Sequence, residues 1–205
     1  AYISSNYSRL KRNVRAGYVV TCVGTKEKFK LGLSPQGNSI SDFAAKQALT
    51  RKVKNNWETR SFLDRGSDER QYCAPGIDLP VASILRSRYG SYPEYHTSLD
   101  DLQNVVTPEG LNGGYWAVRK AIEAIEKNKK YKTSTLCEPF LSSKGLKNTL
   151  SKDLDSPFAN LIMDFLSLCD GQASLLEIAE RLNTPIWDFY DLINELESKK
   201  LLNKS

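Results

Sequence analysis

Two neighbouring segments hold most of the side chains able to do chemistry. The first runs Arg65-Gly66-Ser67-Asp68-Glu69-Arg70-Gln71-Tyr72-Cys73 and leads through Gly76-Ile77-Asp78-Leu79-Pro80. The second, Tyr92-Pro93-Glu94-Tyr95-His96-Thr97-Ser98-Leu99-Asp100-Asp101, contains the one histidine of the chain. Neutral imidazole and carboxylate oxygens are standard zinc ligands, and a catalytic site needs about three of them plus an open position for water. Asp100 and Asp101 stand close enough in sequence to orient the His96 imidazole as acceptors. Cys22 closes an apolar run, where a cysteine is more often a small core residue. Ser67 has no adjacent histidine and Cys73 no nearby base, so nucleophilic catalysis is disfavoured.

These residues must be held by an α/β framework. Gly17-Tyr18-Val19-Val20-Thr21-Cys22-Val23-Gly24 is a nearly continuous β-branched and aromatic run, the pattern of an interior parallel strand buried on both faces. A helix follows over Ser39–Lys54, capped by Ser39 or Ser41. A short strand near Thr59–Leu63 and an apolar one over Leu79–Leu85 complete a strand–helix–strand alternation. His96 then falls in a loop after a parallel strand, the end of an α/β sheet where sites collect. Thr107-Pro108-Glu109 starts a helix with an N-cap, a proline at the first position and an acid in the first turn. Gly110-Leu111-Asn112-Gly113-Gly114 lacks the Gly-Lys-Ser/Thr ending of a phosphate loop and reads as helix packing.

The end of the chain has a different character. From Tyr131 to Asp153 periodicity fades into a connector, which places a boundary near 150: an α/β domain over 1–150 and a small all-α domain over 151–205. The amphipathic stretches Pro157–Leu168, Ser174–Leu182 and Pro185–Lys199, with a tight turn at Asn183-Thr184-Pro185, form a winged helix-turn-helix pattern with Leu201-Leu202 opening a wing. Net charge is +5. Residues 1–154 carry 25 Lys+Arg against 15 Asp+Glu and residues 155–205 carry 4 against 9. The acidic third stretch disfavours duplex DNA, whose reader needs cations, and favours a protein partner or self-association. No apolar run reaches the roughly 20 residues of a membrane span, and the opening lacks a signal peptide's apolar core. Four scattered cysteines without a C-x-x-C pair fit a reducing cytoplasm.

The segments Gly66-Ser67-Asp68, Gly76-Ile77-Asp78-Leu79-Pro80 and Tyr95-His96-Thr97-Ser98-Leu99-Asp100, in that order, resemble the C-terminal half of the zinc aminopeptidase family that also contains glutaminyl cyclases. The whole chain is similar to bacterial aminopeptidase-like proteins that end in a winged helix. The resemblance implies part of a three-layer sheet and zinc-assisted removal of an N-terminal amino acid, with a peptide or small aminoacyl amide as substrate. It makes His96 the last metal-binding histidine, Cys22 a weak thiolate ligand near the second metal's place, and Asp68 and Asp100 site acids. It places Tyr95 beside them in site order, with Arg70 and Tyr72 on the substrate wall. Glu69 stands where many relatives have histidine. The family's early His-x-Asp segment, bridging Asp and Glu-Glu pair have no counterpart here, so the resemblance implies an N-terminal part elsewhere in a parent protein and an incomplete site in this chain alone. The alternative expectation is an inactive aminopeptidase-like interaction module with a protein-binding winged helix.

Overall fold

The computed structural model describes residues 2–146 and 157–205, and the chain divides into two compact units, Ala1–Glu126 and Lys127–Ser205. The boundary expected near 150 lies outside the described residues.

The first unit contains α1 (Tyr2–Ser5), α2 (Tyr7–Asn13), β1 (Gly17–Val20), β2 (Phe29–Gly32), α3 (Ile40–Val53), β3 (Trp57–Arg60), α4 (Glu69–Tyr72), β4 (Val81–Leu85) and α5 (Pro108–Glu126). Among the described residues the sheet order is β1-β4-β2-β3. β1 runs parallel to β4 and β2 parallel to β3, but β2 is antiparallel to β4. The sheet is therefore mixed. β4 is buried along its whole length, and its alternation feeds two cores. Ala82 and Ile84 join Phe29 and Leu31 against Ala45 and Leu49 of α3 and Ala117 of α5. Val81 joins Cys73 and Leu79 on the opposite face, where Leu10 and Val14 pack. Each fully buried Leu, Ile or Phe contributes roughly 1.5–3 kcal/mol.

α3 begins where its sequence signal places it. Ser39 and Asp42 form a capping box, and the fully buried Asp42 carboxylate also accepts from Ser34 N and Ser34 Oγ. Two features differ from expectation. β1 is an edge strand whose Val20 is 45% exposed, because β4 covers only one of its sides. β2 was not legible: Phe29-Lys30-Leu31-Gly32 is short and carries a central lysine, which the fold accommodates by letting Lys30 Nζ donate to the Arg86 carbonyl.

The second unit contains β5 (Lys130–Thr133), α6 (Pro157–Leu168), β6 (Asp170–Ser174), α7 (Leu175–Arg181), α8 (Phe189–Ser198) and β7 (Leu202–Lys204). Its strands form an antiparallel sheet in the order β6-β5-β7. Phe165 and Phe189 stack 4.8 Å apart at the centre of the helices, with Leu175, Ile178 and Leu196 fully buried around them. Ser174 and Glu177 cap α7 reciprocally, and Asn183 makes the turn toward α8 at φ +47°. This unit is not all-α. The segment read as a connector supplies β5, whose Tyr131 is buried between two partner strands. Counting Lys127–Ser205 as one body gives 11 basic and 11 acidic residues, so the negative charge of residues 155–205 is offset by the lysines just before them. The outward side of α8 nevertheless shows Asp191, Asn194 and Glu195 to solvent.

Candidate functional site

Because β1 and β4 are parallel, their C-terminal ends emerge side by side and their loops meet over one cleft of about 540 Å³. Cys22 comes from the β1 loop, Ser67 from the turn before α4, and Tyr92, Tyr95, His96 and Asp100 from the long loop after β4. The β1 loop is tied to β4: Arg86 N and Ser87 N both donate to the Cys22 carbonyl at 3.2 Å. That pins Cys22 at φ +49°, a conformation that costs a non-glycine residue about 1 kcal/mol or more.

The same loop rests on the start of α5. Thr107 N donates to the Gly24 carbonyl at 2.8 Å, and Gly110 lies directly against that carbonyl, leaving no room for a Cβ. A Cβ on Gly114 would come within 2.8 Å of Val23. The glycine run is thus helix packing. Arg86 supports the floor from below. Its guanidinium is buried over the Phe29 ring, 4.2 Å from the centroid, and Nη1 donates to the Thr25 carbonyl at 3.0 Å. Burial lowers its pKa, with Glu109 acting in the opposite sense.

Inside the cleft, the Tyr92 hydroxyl donates to Asp100 Oδ2 at 2.8 Å and lies 3.8 Å from Cys22 Sγ. One proton serves one strong bond, and the charged acceptor takes it. Burial first, then the Asp100 bond, pushes the Tyr92 pKa far up, so the phenol stays protonated at any physiological pH. The His96 ring stacks on Tyr95 at 4.0 Å, nearly parallel, from a backbone at φ +61°. Tyr89 forms the back of the cleft. Its hydroxyl is buried beside Ser67 without a well-formed hydrogen bond, and burial followed by the nearby Glu69 charge pushes it up to about 12. The arrangement offers a phenolic donor, an imidazole, a thiol and a carboxylate to one bound group.

Of the residues singled out from sequence, Cys22, Tyr95, His96 and Asp100 line this cleft, and Asp68, Arg70 and Tyr72 are not among its lining residues. Asp68 is exposed at the start of α4. Arg70 is exposed, with Nε donating to the Ser67 carbonyl. Tyr72 packs against the Cys73, Leu79 and Val81 cluster. Sequence reading passed over Tyr92 and Tyr89, although tyrosines at 89, 92 and 95 beside the lone histidine were a visible signal. It also passed over Arg86, for which no local signal exists. Among the described residues no group of three or more His, Cys, Asp or Glu side chains is placed to hold a metal ion. His96 alone offers an imidazole, and the chain's described residues do not by themselves make a zinc site.

Comparison with known proteins defines the class. The chain belongs to the family described as a domain of unknown function, DUF4910, which matches residues 1–128; residues 129–204 match a winged helix-turn-helix family. It is 35% identical over 180 residues to a Clostridium acetobutylicum protein described as a candidate polysaccharide biosynthesis protein with an aminopeptidase-like domain, covering 87% of this chain and 41% of that protein. It is also similar along its full length to the crystal structure of a candidate peptidase from Clostridium acetobutylicum, at 30% identity and a TM-score of 0.83, covering 45% of that chain. The chain therefore spans less than half the length of either relative.

Proposed function

We propose that this chain is the C-terminal part of an aminopeptidase-like hydrolase that removes an N-terminal amino acid from a peptide or a small aminoacyl amide. The observation that carries this reading is the convergence of Tyr92, Tyr95, His96 and Asp100 on one cleft at the C-terminal ends of the parallel pair β1 and β4. In this reading His96 serves as one ligand of a zinc site whose other donors come from polypeptide outside these 205 residues. Bound zinc would supply Lewis acidity and an activated water. Within the chain, Asp100 fixes the Tyr92 hydroxyl. The phenol, protonated throughout the physiological range, would turn its single proton from Asp100 to the carbonyl oxygen of the scissile amide as negative charge grows there. Tyr95 holds the His96 ring by stacking, and the Cys22 thiol borders the same space.

The partners follow the same division. The open edge of β1 and the exposed Val20, Tyr115 and Ile122 beside it are read as the seat of the missing N-terminal part. The acidic side of α8 is read as a protein-docking or self-association face, because anionic side chains repel the phosphates of DNA. No helix among the described residues is long and apolar enough to cross a membrane, and a cytoplasmic location is part of the proposal.

The test is zinc content and aminoacyl-amide hydrolysis in the longest natural polypeptide containing this sequence. His96→Ala is expected to lower both metal occupancy and turnover by more than tenfold, and Tyr92→Phe to lower turnover by about 10²-fold with metal retained. A zinc-free, inactive polypeptide that takes up no zinc on addition sinks the reading. A second reading, a non-catalytic interaction module built on the same framework, rests on Glu69 and Cys22 standing where the zinc family has other residues; turnover that depends on His96 eliminates it.

A further inference from the structure

A free amino terminus is an ammonium, and a site that reads it needs a carboxylate with acceptor capacity to spare. The acids near the cleft differ in what they can offer. Asp68 is exposed and is not among the residues that line it. Glu69 is 4% exposed; its Oε1 accepts from Gly66 N and Ser67 N, and its Oε2 is sealed by packing, without a partner and out of reach of any ligand. Asp101 spends Oδ1 on Gln103 N and Asn104 N, both at 2.9 Å, which closes the turn behind the cleft loop. Among the described residues that line the cleft, Asp100 is the one carboxylate, and no lysine or arginine stands among them.

Asp100 is exposed. Among the described residues the Tyr92 hydroxyl, 2.8 Å from Oδ2, is the one donor that reaches its carboxylate. An ionised carboxylate has about four acceptor sites, so a single neutral phenol answers little of its charge. An α-ammonium, largely protonated at neutral pH, brings three N–H donors and a full positive charge, and a bond between two ions outcompetes one from a neutral hydroxyl. The spacing fits as well. Bond lengths hold the α-nitrogen and carbonyl oxygen of an aminoacyl group roughly 3 Å apart, close to the 2.8 Å between Asp100 Oδ2 and the phenol oxygen. An ammonium seated on Asp100 therefore sets the carbonyl oxygen against Tyr92.

We infer that Asp100 receives the free amino terminus of the substrate, and that the incoming ammonium releases the Tyr92 proton to the substrate carbonyl. The inference rests on the aminopeptidase-like reading above and adds how a free terminus is told from a blocked one. An acylated nitrogen carries no charge, does not displace the phenol, and leaves its proton on Asp100. Val106 and Leu111 give the same cleft an apolar wall, which suits a branched aliphatic first side chain.

The experiment is calorimetric titration of the longest natural polypeptide containing this sequence, as isolated, with leucine methyl ketone, which keeps the amine and the carbonyl but has no scissile amide. Isoamyl methyl ketone lacks the amine, and isoamylamine lacks the carbonyl. Saturable binding of leucine methyl ketone is expected, with the amine-free ketone at least tenfold weaker. Asp100→Asn keeps the size of the side chain and an oxygen for the phenol; it should weaken leucine methyl ketone at least tenfold and the amine-free ketone less than twofold. Tyr92→Phe removes the competing proton and should tighten isoamylamine severalfold, which a merely structural role for Asp100 would not produce. Leucine methyl ketone affinity in Asp100→Asn within twofold of the parent overturns the assignment, as does an amine-free ketone that binds equally well, or no saturable binding at all. Isoamylamine binding that is unchanged or weaker in Tyr92→Phe overturns the release of the proton. Zinc content and aminoacyl-amide hydrolysis, measured on the same preparation, judge the aminopeptidase-like reading separately. Hydrolysis with binding indifferent to Asp100 keeps that reading and removes this one; binding that depends on Asp100 in a zinc-free, inactive polypeptide does the reverse. Should Asp100→Asn fail to fold, Tyr92→Phe and the ligand comparison decide.

Discussion

Gly110→Ala sets two opposed effects against each other, and the structure decides the sign. Alanine in place of glycine favours a helix by up to about 1 kcal/mol. Against that, a Cβ at 110 collides with the carbonyl of Gly24 and comes within 2.7 Å of the Thr25 carbonyl oxygen. Both obstacles are backbone, so no side-chain rotation relieves them, and Gly24 is itself held by the Thr107 amide. The start of α5 must back away by roughly 1–2 Å to restore ordinary contact distances. That loosens the seam where Gly114 meets Val23 and moves the floor of the cleft. Overpacking of this kind costs about 1–3 kcal/mol, more where the obstacle is backbone, so the net expectation is destabilisation of the first unit by about 2 kcal/mol. The assay is urea unfolding of the full chain followed by tryptophan fluorescence, with Trp187 replaced so that Trp57 and Trp116 report the first unit alone. Asn112→Ala, exposed two residues along the same helix, is the control and should stabilise by a few tenths of a kcal/mol. Gly110→Ala equal to or more stable than the parent would refute the argument that backbone contact sets the position of α5.

Two further outcomes are expected. Glu177 is held below the usual glutamate range, chiefly by the Ser174 amide and then by the Ser174 hydroxyl. Its folded form therefore prefers the ionised state, and its contribution is present above the ordinary glutamate pKa and lost as pH falls through the depressed value. Glu177→Gln should destabilise the second unit by about 1 kcal/mol or less at pH 7 and make no difference at pH 2, which melts at the two pH values check; an equal loss at both would contradict the capping origin. The four thiols should separate in a reagent titration of the folded chain. Cys137 is exposed and reacts first, with the half-buried Cys22 second. Cys73 is buried with its pKa raised, and burial pushes Cys169 up to about 12, so both should react only on unfolding. Rapid labelling of Cys169 in the native state would show that the second unit opens.

What the sequence determined by itself was whatever is written in neighbouring residues. Ser39 with Asp42, Thr107-Pro108-Glu109 and Ser174 with Glu177 announce helix starts, because a cap is a contact between residues three apart. The α6–α8 pattern of the second unit was legible for the same reason, and so was the gathering of Tyr95, His96 and Asp100, which share one loop. Tertiary structure alone decided the rest. β2 and β5 are strands because partners distant in sequence supply their hydrogen bonds, not because four-residue runs such as Phe29–Gly32 or Lys130–Thr133 prefer extension. Pairing between β1 and β4 brought Cys22 to Tyr92, 70 residues away, while Asp68, adjacent to Ser67 in the chain, was turned out of the cleft. Glu69 was a mere departure from a familiar pattern until burial left one of its oxygens bare: charge is read from a sequence, but whether a charge is answered depends on what the folded chain brings beside it.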